Sequence, residues 1–143
     1  MDSLLASIEA LLADNTIFTL DTLSYYGEGL TTTVQLVFLS LIVGLIAAVP
    51  LAIGRGSKRR WIKMPIFFYT YVFRGTPLLV QLYLIYYGVV FVEGIQDTWL
   101  WVLLEKPFFP ALVAFSLNTA AYTTEIFHGA IKATPRGEIE AAR

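Results

Sequence analysis

Arg74, Thr76, Asn118, Tyr122 and Glu125 stand inside long apolar stretches of this 143-residue sequence. A charge or an amide in that setting is costly unless it faces protein or water. Asn118, Tyr122, Glu125 and Gly129 fall at i, i+4, i+7 and i+11, which is one face of a helix. Ser116, Thr119 and Thr123 extend the polarity beside it. Such a face suits a bundle interior or an aqueous path rather than lipid. In Arg74-Gly75-Thr76-Pro77, Thr is a good N-cap and Pro is favoured at the first helical position, so a new helix is expected to start there. A helix start inside a membrane offers free N–H groups and a positive dipole end, which fit a carboxylate. Arg74 lies on the order of 16 Å along the helix from Lys63, and Glu125 roughly 8–9 Å from the inner end of its own. A Glu125–Arg74 ion pair is therefore a candidate. The structural alternatives are an Arg74 that snorkels to headgroups and a Glu125 that locks two helices.

The elements that must position these residues are helical. Gly29 to Ile53 carries no charge, and at 1.5 Å per residue it makes roughly 37 Å of helix, enough for a tilted crossing. A second apolar stretch runs from Met64 to Val92 and is expected to break at 74–77; a third runs from Phe108 to Ile131. Three spanning helices are predicted. Ser40, Gly44, Ala48 and Ala52 form a small stripe on the first, suited to close helix approach. Residues 1–28 hold Asp2, Glu9, Asp14, Asp21 and Glu28 without a Lys or Arg, whereas Arg55, Lys58, Arg59, Arg60 and Lys63 follow the first span without an acid. Basic residues favour the cytoplasmic side, so the N-terminus is expected outside, the basic loop inside, the 93–107 loop outside and the tail inside. Leu4, Leu5, Ile8, Leu11 and Leu12 share a face, predicting an amphipathic helix on the outer surface rather than a signal peptide. Trp99 and Trp101 are expected at headgroup level, with Asp97-Thr98 capping a short interfacial helix.

Composition agrees with a lipid setting. Hydrophobic residues make up 57% and charged residues 15%, with mean hydropathy +0.66, where a soluble domain carries about 25% charge. The net charge of -1 gives no field for nucleic acid, and the absence of cysteine excludes disulfides and thiolate metal sites. The sequence has no G-x-x-x-x-G-K-[ST], no nucleophile elbow and no H-E-x-x-H. His128 is the only histidine and is read as interfacial. The expectation is a chain that is not an enzyme and uses no cofactor and no metal.

Three runs carry a family likeness. Tyr71-Val72-Phe73-Arg74-Gly75-Thr76-Pro77-Leu78-Leu79-Val80-Gln81-Leu82 resembles a signature of the polar amino-acid permeases of bacterial ABC importers. So does Asn118-Thr119-Ala120-Ala121-Tyr122-Thr123-Thr124-Glu125-Ile126-Phe127 with Gly129-Ala130-Ile131, although relatives often carry Arg where this chain has His128. Pro135-Arg136-Gly137-Glu138-Ile139-Glu140-Ala141-Ala142 looks like the opening of the family's EAA coupling loop. Together with Ile53-Gly54-Arg55 and Pro65, the pattern is most similar to M-type permeases for histidine, lysine, arginine and ornithine, or for opines. The resemblance implies an all-α, multi-pass type I importer fold of about five helices, of which this sequence holds the first three and stops within the coupling loop. It implies a periplasmic segment, 1–28, and an incomplete permease domain, 29–143, in a bacterial inner membrane. The implied partners are a second permease, an ABC ATPase dimer, a periplasmic amino-acid-binding protein and membrane lipid. The implied ATPase contact is Gly137, Glu138, Glu140, Ala141 and Ala142. Arg74, Thr76, Asn118, Tyr122 and Glu125 are the candidate substrate path.

Two other classes fit less well. An ion-coupled secondary transporter or channel would use Glu125 and Arg74 as a charge relay, yet only those two charges lie in the spans and no inverted repeat is visible. A non-transporting membrane scaffold would tolerate apolar replacements at Asn118, Tyr122 and Glu125.

Overall fold

The computed structural model describes residues 2–12, 20–135, 137 and 141. All regular structure among them is helical: α1 (Asp2–Leu12), α2 (Leu20–Arg55), α3 (Arg60–Gly75), α4 (Leu78–Gly88), α5 (Trp101–Leu104) and α6 (Phe108–Ala133), with 3-10 turns at Val89–Phe91 and Ile95–Asp97. The chain divides into two units, Met1–Gln35 and Leu36–Arg143. In the first, α1 forms where the spacing of Leu4, Leu5 and Ile8 predicts a helix, and Leu4 and Leu5 are exposed. Helix α2 starts earlier than the uncharged run, taking in Asp21 and Glu28, because helical backbone does not require apolar side chains. It also continues unbroken through residues 28 and 29.

The second unit is built around α6, which packs mainly against α3 and α4. Helix α2 meets α6 at Gly44, within the small stripe. Ser40, Gly44, Ala48 and Ala52 are all buried, as their four-residue spacing predicts. A methyl group at Gly44 would lie 2.7 Å from Thr119 Cβ and Cγ2, so only glycine lets the backbones approach this closely. A methyl group at Gly54 would lie 2.6 Å from Ile66 Cδ1 of α3.

The second apolar stretch is indeed two helices. It begins earlier than Met64, at Arg60, and its last regular turn ends at Gly88. Thr76 and Pro77 separate α3 from α4, with Pro77 taking the N-cap position in extended conformation. This corrects the expected cap: Thr76 ends α3 rather than starting α4, and its hydroxyl donates back to the Val72 carbonyl at 2.9 Å. Asp97-Thr98 likewise caps no helix, since the Thr98 hydroxyl donates to the Ile95 carbonyl and α5 has Leu100 at its N-cap.

Three spans were expected, and among the described residues one helix, Thr22–Arg55, is long and apolar enough to cross a membrane by itself. The other two fall short for visible reasons. The proline break shortens α3 and α4, and the polar face of α6 lowers its apolarity.

Candidate functional site

The site lies entirely within the second unit and begins with the backbone of α3. A helix leaves its last carbonyls without partners, and in a membrane no water replaces them. Here the loose carbonyls of α3 are met by side chains. Gln81, one turn into α4, sends Nε2 toward Phe73 O at 2.7 Å, Thr76 Oγ1 at 2.8 Å and Thr76 O at 3.0 Å. Three acceptors around one amide nitrogen fix which way the amide points. Gln81 Oε1 then accepts from Asn118 Nδ2 of α6 at 3.1 Å. The Tyr122 hydroxyl, one helical turn further along α6, donates to Arg74 O at 3.4 Å. Thr76, Gln81 and Asn118 thus form a continuous latch that satisfies the break and ties α3, α4 and α6 together. Gln81 is buried despite its amide, and a buried amide is tolerated only when it is bonded in this way.

Closer to the α2–α3 turn, Glu125 is held from two other helices. Arg55 Nε donates to its Oε1 at 2.8 Å, with side-chain exposures of 13% and 18% for the two residues. Thr70 of α3 donates to the same oxygen at 2.7 Å, a shorter path for its single proton than the 3.1 Å to Phe67 O. The Arg55 guanidinium also lies 4.8 Å from the centre of the Phe67 ring. Arg55, Thr70 and Glu125 therefore pin the end of α2 to α3 and α6.

The expected Glu125–Arg74 pair does not form. Arg74 instead stacks over the Tyr122 ring at 5.5 Å, and Arg55, placed from sequence in the basic loop, takes the carboxylate. Helical phase explains the exchange: Thr70 and Arg74 are one turn apart on α3, and it is the Thr70 turn that meets Glu125. Arg74 and Glu125 do line one cleft of about 250 Å³ with Phe67, Thr70, Tyr71 and Gly75. Arg74 and Glu125 give this cleft one group of each charge that do not bond each other, Glu125 already holding Arg55 and Thr70 through Oε1.

The five predicted path residues are thus brought into two neighbouring clusters on α3 and α6, Thr76 and Asn118 in the latch and Arg74, Tyr122 and Glu125 by the cleft. Tyr122 is 45% exposed and Gly129 is also exposed, so the predicted polar face is only partly enclosed. Gly137 and Ala141 are exposed, whereas Glu138, Glu140 and Ala142 lie outside the described residues. Arg55, Thr70 and Gln81 are site residues that the sequence did not assign to the site, although Arg55 and Gln81 stand in the motifs that carry the family likeness. The available signal was one polar side chain in an apolar run, at Thr70 in Phe67–Phe73 and at Gln81 in Leu78–Tyr87. No group of three or more His, Cys, Asp or Glu residues able to hold a metal occurs among the described residues.

Residues 40–143 match the family described as binding-protein-dependent transport system inner membrane component. The chain is similar to the octopine transport system permease protein OccM of Rhizobium meliloti, 45% identical over 115 residues, covering 80% of this chain and 47% of that protein. It is 46% identical over 120 residues to the histidine/lysine/arginine/ornithine transport system permease protein HisM of Escherichia coli K12, covering 83% and 50%. A crystal structure of an amino acid ABC transporter with histidines matches with a TM-score of 0.63 and 32% identity, covering 88% of this chain and 57% of that one. The chain spans about half the length of the curated relatives it matches. The all-helical fold is that of an ABC importer permease. The family is a membrane part of a transport system, not a catalytic one. The match over most of the chain, with the broken helix and its latch inside the matched region, means that this chain belongs to the family of binding-protein-dependent transport system inner membrane components.

Proposed function

We propose that the chain serves as a permease subunit of an ATP-driven importer for polar, basic amino acids. The observation that carries this reading is the family match over residues 40–143, supported by relatives whose names specify histidine, lysine, arginine, ornithine and octopine transport. All of those compounds carry a carboxylate and a basic group. The cleft lined by Arg74 and Glu125, with Glu125 sharing one carboxylate oxygen with Arg55 and Thr70, offers groups of both signs, which supports Arg74, Tyr122 and Glu125 beside the path. Thr76 and Asn118 act through the latch that shapes it. In this reading residues 29–143 are the permease portion, and the partners are a second permease, an ABC ATPase dimer, a periplasmic amino-acid-binding protein and membrane lipid. The N-terminus is periplasmic. Gly137, Glu138, Glu140, Ala141 and Ala142 meet the ATPase, where small alanines allow close approach and the carboxylates meet basic side chains. ATP is hydrolysed on the partner, and this chain supplies the path and the lever.

The test is uptake of labelled arginine, lysine and histidine by cells that carry or lack this chain beside its co-encoded partners. Loss of uptake on deletion, restored by the full-length protein that contains this chain, is the expected result, and unchanged uptake of all three contradicts the substrate reading. Thr76→Val and Asn118→Leu should lower uptake more than they lower assembly; wild-type uptake in both would remove them from the path. Glu140→Lys in the full-length protein should weaken co-purification with the ATPase, and unchanged recovery would contradict the coupling role.

A further inference from the structure

We infer that the turn between α2 and α3, with the outward face of α3 that follows it, is a binding site for an anionic phospholipid. Lys58, Arg59, Arg60 and Lys63 stand together there; all four are exposed, and none makes an ion pair among the described residues. Arg55, the fifth cation of the segment, is already engaged by Glu125. The sequence supplies no acid between Arg55 and Glu93 that could neutralise the others.

An apolar trough adjoins this cationic group. Trp61, Met64, Pro65 and Phe68 fall at i, i+3, i+4 and i+7, one face of α3. With Arg60 they line a groove of about 510 Å³. Trp61 is 93% exposed, and Met64 and Phe68 are more than half exposed. The face runs roughly 10 Å along the helix, enough to lie against the upper part of an acyl chain. Cations at one end and hydrocarbon along the rest match an amphiphile with a negative head. A free phosphate would leave the trough empty, and a purely apolar ligand would leave the cations unanswered. Lys and Arg stems that reach headgroups while their carbons cover apolar surface, with Trp at the same level, are the expected dress of a helix end at the membrane interface. The family's membrane setting supplies the lipid. The inference stands apart from which solute is carried.

Each cation near an anionic lipid surface is worth about fivefold in binding. The experiment uses the chain, with any subunits that co-purify, carrying Trp99→Phe and Trp101→Phe so that Trp61 is its only tryptophan. It is reconstituted in phosphatidylcholine containing increasing amounts of brominated phosphatidylglycerol or, separately, brominated phosphatidylcholine. Quenching by the brominated phosphatidylglycerol is expected at an at least fivefold lower mole fraction. That preference should shrink as salt is raised, because exposed charges are screened. Arg60→Gln and Lys63→Gln, made singly, should each reduce it about fivefold. Equal quenching by the two lipids overturns the site. So does the absence of quenching by either, which would mean that protein covers Trp61. The salt series needs no charge substitution, so it decides the matter even where a variant fails to assemble.

Discussion

Glu125 shows how a half-buried acid can be settled by groups far away in the sequence. Its carboxylate receives Arg55 and Thr70, each from a different helix. Hydrogen bonds to a charged group contribute about 1.5–3 kcal/mol, so Glu125→Gln and Arg55→Gln should each lower thermal stability by an amount of that order. Because both remove the same contact, the double variant should fall short of the sum by about 1–2 kcal/mol in a double-mutant cycle. Additive losses would mean the pair contributes nothing. Gln81→Leu is expected to cost about 1–3 kcal/mol for a different reason, since it takes the donor from the Thr76 carbonyl and leaves the Phe73 carbonyl only the long 3.5 Å contact from Asn118 Nδ2. Unchanged unfolding of that variant would show that other groups satisfy the break. At this scale the sequence was legible in kind but not in pairing. It marked Glu125 and Arg74 as intramembrane charges, yet the partner of Glu125 is fixed by the phase of α3 against α6, which no local pattern encodes.

Helices were the most legible feature. The uncharged run, the break at 74–77 and the third apolar stretch each correspond to an element, because spacing and proline act locally. Their ends were less so: α2 extends through Asp21 and Glu28, and Thr76 serves the end of α3 instead of the start of α4. The small stripe on α2 was read correctly because a close helix approach demands small residues whatever the partner. Its tightest point makes a sharp prediction. Gly44→Ala should destabilise by about 1–3 kcal/mol through overlap with Thr119. Gly29→Ala, on the same helix with nothing within 4 Å, should be neutral or slightly stabilising. Equal effects in thermal unfolding of the two variants would remove the close approach as a structural constraint.

For the molecule as a whole, the usual order of inside and outside is reversed. The buried residues include Ser40, Thr70, Gln81, Ser116 and Thr124 with five alanines, whereas Phe38, Ile42, Ile46, Ile53, Phe68 and Leu84 are exposed. Small and polar groups inside with large apolar groups outside is what lipid as solvent selects. The proposed orientation is testable because the chain has no cysteine. A single Ser57→Cys should react with a membrane-impermeant thiol reagent only from the cytoplasmic side, and Gln96→Cys only from the periplasmic side; the opposite pattern would invert the topology. The central claim is that ATP on a partner drives uptake through this chain. It is tested most directly by labelled arginine uptake into proteoliposomes holding the assembled complex, with binding protein outside and either ATP or a proton gradient as the energy source. The account predicts uptake with ATP and none with the gradient alone. Uptake driven by the gradient without ATP would contradict it.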